Sequence, residues 1–307
     1  MSRRIKIGSL MFLIGALAFA VAMPSALIAA EPENVTLTVT AVGKKDVNPP
    51  AVTRKDVQFF QNKERTQIAD WRHGERLYLA VLIDDSLRTT VASQWRDLKD
   101  FFNAQPPSTY ISVSYARNAT AMVAQDFTND HALAAKALRL PIGQGAFSSP
   151  YFAVQDLMKR LPGTPRDRRS ILLVSSGIDY LHGNFPTSPD LDSTIEQAQK
   201  RNINVWSIYY PDTGRLSRRF FLATRAQSDL TRLADETGAE SYYLATTEPV
   251  TFKPYLDKLA THLRNQYLLT FKGSGGAKGR FTRVKVAAEL PNNKFMSASQ
   301  VYLPAGN

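Results

Sequence analysis

Three short polar segments of this 307-residue chain carry the side chains that could do chemistry. Together they offer carboxylates, hydroxyls and a guanidinium, which can bind a ligand or, with an acid or base nearby, act on a substrate. The residues are Asp84, Asp85, Ser86 and Arg88 in the first segment, Ser148 in the second, and Ser175 and Ser176 in the third.

The composition excludes several other kinds of chemistry. The chain has no cysteine, which removes disulfides, thiolate metal sites and cysteine nucleophiles. It also lacks the Gly-x-Ser-x-Gly pattern of serine hydrolases, and its glycine-rich segment 273–279 lacks the Lys-Ser/Thr step into a helix that a phosphate-binding loop needs. The histidines have no metal-ligand spacing; they are His73, His131, His182 and His262.

Alternating strand and helix patterns must position the polar segments. Residues 78–83 form a continuous apolar run, typical of a strand covered on both faces, and Asp84 follows it directly. Further strands are predicted at 110–115, 121–124, 170–174 and 203–209, and helices at 91–102, 130–138, 151–161, 194–201 and 228–237. This alternation predicts a three-layer α/β/α fold with a doubly wound, mostly parallel sheet. In such a sheet the functional crevice lies at the carboxyl ends of the strands, where the three polar segments fall.

Smaller β-rich parts are expected on both sides of the α/β domain. Period-two alternation predicts a strand at 35–42, and a short helical turn leads into a second strand within 52–60. Near the end, a helix at 252–263 precedes strand patterns at 267–271, 281–287 and 299–303. The expected divisions are a signal peptide over 1–30, a β-rich module over 31–74, the α/β domain over 75–250 and a helix with a β-hairpin over 251–307.

The first thirty residues have the layout of a secretory signal peptide. Three basic residues precede an apolar run to Met23, and small residues lead up to Ala30, after which we expect cleavage. A retained membrane anchor is the alternative. The sequence therefore predicts an exported protein, periplasmic or secreted, with no membrane span after cleavage.

The basic charge of the chain is a weak argument for a nucleic-acid partner. The formal net charge is +11, and loss of the three cations Arg3, Arg4 and Lys6 with the signal peptide leaves +8. The remaining cations form short clusters among acidic residues, without the interleaved aromatics on which bases stack. We expect a protein or a cell surface as the partner, not nucleic acid.

Five segments in order resemble the von Willebrand factor type A domain, in particular the variant found in exported bacterial proteins, many of them from Acidobacteria. They are TRKDVQFFQNKERTQIADW, LYLAVLIDDS, ILLVSSGID, LTRLADETGAESYY and YLDKLATHLRNQYLLTF. Each segment alone is only weakly specific for the family, but the five in this order are a more specific match. The resemblance covers nearly the whole mature chain.

The resemblance implies a metal-ion-dependent adhesion site. In the family, Asp-x-Ser-x-Ser, a threonine from a second loop and an aspartate from a third hold a magnesium-like ion, which a partner's carboxylate completes. Here Asp84 and Ser86 match the first two positions, and Ser148 fits the place of the threonine. Arg88 stands where a serine is expected, and Ser176 where the aspartate is expected. If Mg²⁺ or Ca²⁺ binds, Asp84, Ser86 and Ser148 are the expected ligands.

The two departures change the charge of the implied site. Ser176 removes a carboxylate and Arg88 adds a guanidinium, which moves the local balance by two positive units. At ~4 Å and a near-surface dielectric, each misplaced charge is worth a few kcal/mol, enough to abolish a weak magnesium site. Unless Asp85 or Asp179 compensates, we predict a degenerate site without a cofactor, in which Arg88 pairs with Asp84.

The sequence thus predicts a non-enzymatic binding, adhesion or scaffold module that presents its strand-end loops to a partner. One alternative is a metal-dependent adhesion receptor with a non-standard site. A second is a hydrolase, because two aspartates after a buried strand also resemble the nucleophile of phosphoryl-transfer enzymes of the haloacid dehalogenase type. Those enzymes need a second aspartate two positions on, where this chain has Ser86. The adhesive role is an implication of the resemblance, since a fold does not fix a function.

Overall fold

A computed structural model describes most of the chain after residue 32. The described ranges are 33–44, 48–73, 75–143, 149–164, 166–181, 189–211, 217–245, 247–290 and 293–305. The predicted signal peptide and Ser148 lie outside the described residues. Within the described ranges, no helix has the length and apolar character to cross a membrane.

Strands and helices alternate in the middle of the chain, and strands occupy both ends. The strands are β1 (Glu33–Gly43), β2 (Val57–Gln61), β3 (Glu64–Arg65), β4 (Ile68–His73), β5 (Leu77–Asp84), β6 (Thr109–Arg117), β7 (Thr120–Thr128), β8 (Arg168–Ser175), β9 (Asn204–Tyr209), β10 (Ser241–Tyr242), β11 (Gln266–Gly273), β12 (Arg280–Ala288), β13 (Asn293–Ser297) and β14 (Gln300–Leu303). The helices are α1 (Trp95–Asn103), α2 (His131–Lys136), α3 (Pro150–Arg160), α4 (Pro189–Arg201), α5 (Ser217–Glu236) and α6 (Lys253–Arg264). Short 3-10 turns cover Arg54–Asp56, Thr89–Gln94 and Gly276–Lys278.

The central sheet has six strands in the order β10-β9-β8-β5-β6-β7. All neighbours are parallel except β6 and β7. Alternate residues of β5 enter different cores: Leu79 and Val81 pack with α1, α2 and α6, whereas Ala80 and Leu82 pack with α3, α4 and α5. Burial on both faces explains why β5 is a continuous apolar run. The predicted three-layer α/β/α class is confirmed.

Three predicted helices differ from the observed ones at their starts, and one of them, predicted at 194–201, begins at Pro189. The helix predicted at 228–237 begins at Ser217, and the pattern predicted as one helix over 91–102 divides into a 3-10 turn over Thr89–Gln94 followed by α1. Helix ends depend on local hydrogen bonding more than on apolar periodicity, so boundaries are the least predictable part of an element.

The strands at the two ends of the chain form one β-sandwich. Its sheets have the orders β13-β1-β11-β4 and β14-β12-β2-β3, so each sheet mixes N-terminal and C-terminal strands. Apolar residues of both sheets share a core, in which the ring centroids of Phe59 and Phe271 are 4.6 Å apart. The sequence predicts a separate β-rich module at the N-terminal end and a β-hairpin at the C-terminal end, whereas their strands share both sheets of the sandwich. The pairing of β1 with β11 joins residues more than 200 positions apart, which local patterns do not encode.

The sandwich is joined to the α/β unit beside α5. Thr237 and Ala298 form an isolated bridge, and the Ser299 amide donates to the Glu236 carbonyl over 3.2 Å. Gly238 has φ +78°, and a Cβ on it would lie 2.4 Å from the Ala298 nitrogen. Only glycine fits this close approach of two backbones. Further bonds, from the Thr38 amide to Asn202 Oδ1 and from the Ala41 amide to the Asn265 carbonyl, also join the sandwich to the α/β unit.

Candidate functional site

The carboxyl ends of β5 and β8 hold a buried carboxylate between serines. Asp84 is the last residue of β5 and is 0% exposed. Ser86 donates to its Oδ1 from the amide (3.1 Å) and from Oγ (2.7 Å), and Ser175 Oγ donates to its Oδ2 over 2.7 Å. Short hydroxyl bonds to an ionised carboxylate are stronger than bonds between neutral groups. These two serines thus replace part of the hydration that Asp84 loses on burial.

The serine that contacts Asp84 is Ser175, a residue that the family alignment passes over. Ser175 ends β8, and its Oγ also accepts a bond from the Gly177 amide over 2.9 Å. Ser176, the residue aligned with the family's aspartate, has its Oγ 3.4 Å from the Ile178 amide. Successive side chains along an extended chain point in opposite directions, so neighbouring serines cannot both face Asp84. From the sequence, this alternation predicts that only one of the two serines contacts Asp84. It does not predict which of the two it is.

The charge of Asp85 is balanced by Arg139, which lies far from it in the sequence but contacts it in the structure. Asp85 is 0% exposed, and Arg139 donates to both of its oxygens, from NH1 to Oδ1 (2.7 Å) and from NH2 to Oδ2 (2.9 Å). The Ile142 amide adds a third bond to Oδ1 over 3.1 Å. The hydrogen bonds with Asp85 raise the pKa of Arg139 above its usual range. Asp85, considered above as a compensating metal ligand, therefore already has a cationic partner.

The position of Arg139 is fixed by an aromatic ring. Its guanidinium carbon lies 3.7 Å from the centroid of Tyr115, a cation–π contact. The Tyr115 hydroxyl donates to the Arg139 carbonyl over 3.0 Å and accepts from the Arg139 amide over 2.6 Å. Burial raises the pKa of the Tyr115 hydroxyl. Arg139 lies 54 positions from Asp85, so no local spacing in the sequence identifies it.

Arg88 lies at the rim of the crevice. Its side chain is 45% exposed, and its NH1 is 4.0 Å from Glu248 Oε1. Glu248 also accepts a bond from the Tyr210 hydroxyl over 2.8 Å, and burial raises the pKa of Tyr210 to about 12. The pairing of Arg88 with Asp84 stays a prediction. Asp179, the other compensating carboxylate considered, accepts a bond from the Leu181 amide over 3.0 Å.

The described residues do not fit a divalent cation. Mg²⁺ and Ca²⁺ need several oxygen ligands with compensating negative charge. Asp85 is paired with Arg139, and Ser86 and Ser175, which donate to Asp84, are neutral and add no negative charge to balance a cation. Among the residues that the structure describes, no group of three or more Asp, Glu or His side chains could hold a metal ion.

Apolar side chains are exposed around the same crevice. Leu140 and Ile142 flank the loop that bonds Asp85, Tyr180 and Leu181 follow β8, and Leu244 follows β10. Leu140 is the most exposed of these, at 59%. These exposed apolar side chains lie on loops that follow the central strands, and exposed apolar side chains around a polar centre can bind a protein partner. We call these five residues the apolar rim.

The described histidines lie outside the crevice and each has a structural contact. His73 Nε2 is 2.6 Å from the Arg264 carbonyl, His131 Nε2 is 2.9 Å from the Thr109 carbonyl, and His262 Nδ1 is 3.0 Å from the Tyr242 hydroxyl. None of them assists Ser86 or Ser175 as a base. The fourth histidine, His182, lies outside the described residues.

Comparison with solved structures finds matches of low similarity. The chain has a TM-score of 0.44 and 10% identity to BatB from Bacteroides thetaiotaomicron, covering 62% of this chain and 97% of that one. It has a TM-score of 0.39 and 14% identity to the SpRpn10 VWA domain (60% and 94% covered). It has a TM-score of 0.42 and 11% identity to manganese-loaded TRAP protein of Plasmodium vivax (80% and 98% covered). Similarity at this level does not assign a function.

Sequence comparisons add nothing further. No protein-family model matches the chain, and no curated protein matches it significantly.

Proposed function

We propose that this chain is an exported, non-enzymatic binding module of the von Willebrand factor type A kind. It contacts a protein or cell-surface partner through the loops at the carboxyl ends of the central strands, without a metal ion. One observation supports this most directly. The buried acids of the crevice are bonded by groups of the same chain, while the apolar rim around them is exposed.

The charge of the described crevice supports binding without a metal ion. In a metal-dependent adhesion site, carboxylates of the protein balance the charge of the cation, and one coordination position is left for the partner's carboxylate. Here Arg139 supplies the positive charge, in a bidentate pair with Asp85. Adding a divalent cation beside that pair would place like charges together in a buried site, which costs free energy. The partner is therefore bound by apolar contact and not by completing a metal shell.

Two observations on the described residues support a non-enzymatic role: the burial of Asp84 and the contacts of the described histidines. A phosphoryl-transfer nucleophile must reach its substrate, whereas Asp84 is 0% exposed and both of its oxygens accept hydroxyl bonds. A serine nucleophile needs a base, and the described histidines contact other groups.

The proposal that the protein is exported rests on the predicted signal peptide. The proposal that it belongs to the exported, Acidobacteria-type variant rests on the five family-like segments.

Site-specific photocrosslinking tests the proposed binding face. A photoreactive amino acid would replace Leu140 or Leu244 in the apolar rim, with Leu133 as a matched control. Leu133 is 41% exposed and lies on α2, whose first residue, His131, contacts Thr109 at the opposite edge of the sheet. Cells that make the protein are irradiated, and crosslinked partners are identified by mass spectrometry.

We expect one macromolecular partner to crosslink at positions 140 and 244 and not at position 133. Leu140→Asp combined with Leu244→Asp should abolish its capture by the purified protein, while Leu133→Asp should leave capture unchanged. Equal crosslinking at all three positions, or capture that survives the double substitution, would refute the proposed face.

A further inference from the structure

A second cavity lies at the amino ends of the same central strands, opposite the crevice. It has a volume of about 880 Å³ and opens between the end of β4, the loop before β6 and the end of α6. Leu77, Thr109 and Arg168 begin β5, β6 and β8, are adjacent in register, and all line it. The volume is in the range of small-molecule sites, which span roughly 300–1,000 Å³.

Arg168 is a buried cation in the wall of this cavity. It is 5% exposed, and among the described residues its guanidinium donates to two carbonyls, NH1 to Leu263 (2.5 Å) and NH2 to Glu75 (2.9 Å). Its Nε is buried and has no hydrogen-bond partner among the described residues, and no described carboxylate forms an ion pair with it. Burial lowers the pKa of Arg168 to about 10. The side chain thus carries a positive charge that the described protein does not balance.

The other charged groups of the cavity add to this positive charge. Arg76, Arg166 and Arg264 line it with exposed side chains, against the acids Glu75 and Asp167. The Asp167 carboxylate already accepts bonds from the Thr164 amide (2.7 Å) and hydroxyl (2.9 Å). Four guanidinium groups therefore face two carboxylates, and one of the carboxylates is engaged within its own loop.

A buried hydroxyl in the same wall also lacks a partner. Thr109 is 1% exposed, and its Oγ1 makes no hydrogen bond within the described chain. Buried hydroxyls and guanidinium nitrogens are normally hydrogen-bonded, because leaving them unpaired costs their full desolvation. Two such atoms, Arg168 Nε and Thr109 Oγ1, belong to residues that line this cavity, so its wall contains polar groups without a partner among the described residues.

We propose that this cavity binds a small molecule carrying phosphate or carboxylate groups. The oxyanion offsets the charge of Arg168, and the exposed arginines at the mouth, Arg76 and Arg264, contact it directly. Guanidinium groups are suited to such ligands because their planar N–H groups match two oxygens at once. The site is separate from the protein-binding face proposed above and does not depend on it.

Calorimetry at constant ionic strength tests this site with three probes: inorganic phosphate, tripolyphosphate and citrate. Saturable one-to-one binding of the phosphate probes alone assigns a phosphoryl ligand, and of citrate alone a carboxylate ligand. The double variant Arg76→Ala/Arg264→Ala should bind about tenfold more weakly or not at all. Arg280→Ala is the control, because Arg280 is exposed and does not line the cavity.

Arg168→Met separates a ligand role from a structural one. We expect it to fold and to lose the probe-dependent rise in melting temperature that the wild-type protein shows. If it does not fold, the exposed double variant still decides the question. No saturable binding of any probe to the wild type, or equal weakening in Arg280→Ala and in the double variant, would overturn the proposal.

Discussion

The two ends of the central sheet handle buried charge in opposite ways. At the carboxyl end, Asp85 is fully buried and has a bidentate cationic partner, and Asp84 accepts two serine hydroxyls. At the amino end, Arg168 is almost fully buried and, among the described residues, bonds to two carbonyls. Burying a charge is costly unless it is paired and hydrogen-bonded. The charge of Asp85 is balanced within the chain by Arg139, whereas the charge of Arg168 is balanced by a ligand under our proposal.

The same strand contributes to both ends. Strand β8 starts with Arg168 in the cavity and ends with Ser175 in the crevice, a distance of roughly 23 Å at the usual rise per residue. Between them, Ile171, Leu172, Leu173 and Val174 are buried in the two apolar cores. The cavity and the crevice are therefore built on the same strand, and their buried charges differ in sign and in pairing.

The largest effect is expected from breaking the pair at the carboxyl end. Arg139→Met leaves Asp85 buried without a cation, and we expect the free energy of unfolding to fall by about 2–3 kcal/mol, less than for a fully buried pair because Arg139 is 42% exposed. Urea unfolding measures this. Arg160→Met is the matched control, since its pair with Asp156 is an exposed i,i+4 contact, and it should cost less than about 0.5 kcal/mol.

If Arg139→Met and Arg160→Met cost the same, the pair with Asp85 does not compensate a buried charge. The double variant Asp85→Asn/Arg139→Met sharpens the point. It should recover part of the lost stability, because no charge is then left buried without a partner.

A middle-sized effect is expected from the serines. Ser175→Ala removes a hydroxyl bond to a buried carboxylate and should lower the free energy of unfolding by about 2 kcal/mol. Ser176→Ala, one residue on, should cost about 0.5 kcal/mol, because its Oγ has only a 3.4 Å contact with an amide. Chemical denaturation of both variants tests this, and a larger loss in Ser176→Ala would favour the family alignment over the observed contacts.

The smallest effect is expected at the amino end. Arg168→Met loses two bonds to carbonyls but also removes a buried, uncompensated charge, so the two changes offset each other within about 1 kcal/mol. Thermal and urea unfolding without added phosphate or citrate measure the difference. A loss as large as that of Arg139→Met would mean that Arg168 is as well compensated as Asp85, and the contrast between the two ends would fail.

A residue of the crevice can be predicted from the sequence when its position depends on its close neighbours in the chain. It cannot when its position depends on a contact between distant segments. Asp84 was identifiable because it ends a continuous apolar run, and such a run predicts a buried strand with its polar residue at the sheet edge. Ser175 and Ser176 are equivalent in composition, and only the direction of the chain at the end of β8 separates them. Arg139 was missed because its contact with Asp85 depends on how the chain after α2 returns to the crevice.

The same reasoning applies to the β-sandwich. Alternation predicted β1 and the last three strand patterns as strands, but alternation does not say which strand pairs with which. The short, mostly polar β4 has no clear period and was not predicted, although it is hydrogen-bonded to β11. Pairings between the two ends of the chain are set by tertiary packing.

The most direct test of the account is a titration of the wild-type protein with Mg²⁺, Ca²⁺ and Mn²⁺ by isothermal calorimetry, with Asp84→Asn as the reference. The account predicts no saturable heat for any of the three ions, because the carboxylates of the crevice are bonded by Ser86, Ser175 and Arg139. Saturable one-to-one binding to the wild type that is lost in Asp84→Asn would contradict it and establish a metal-dependent adhesion site.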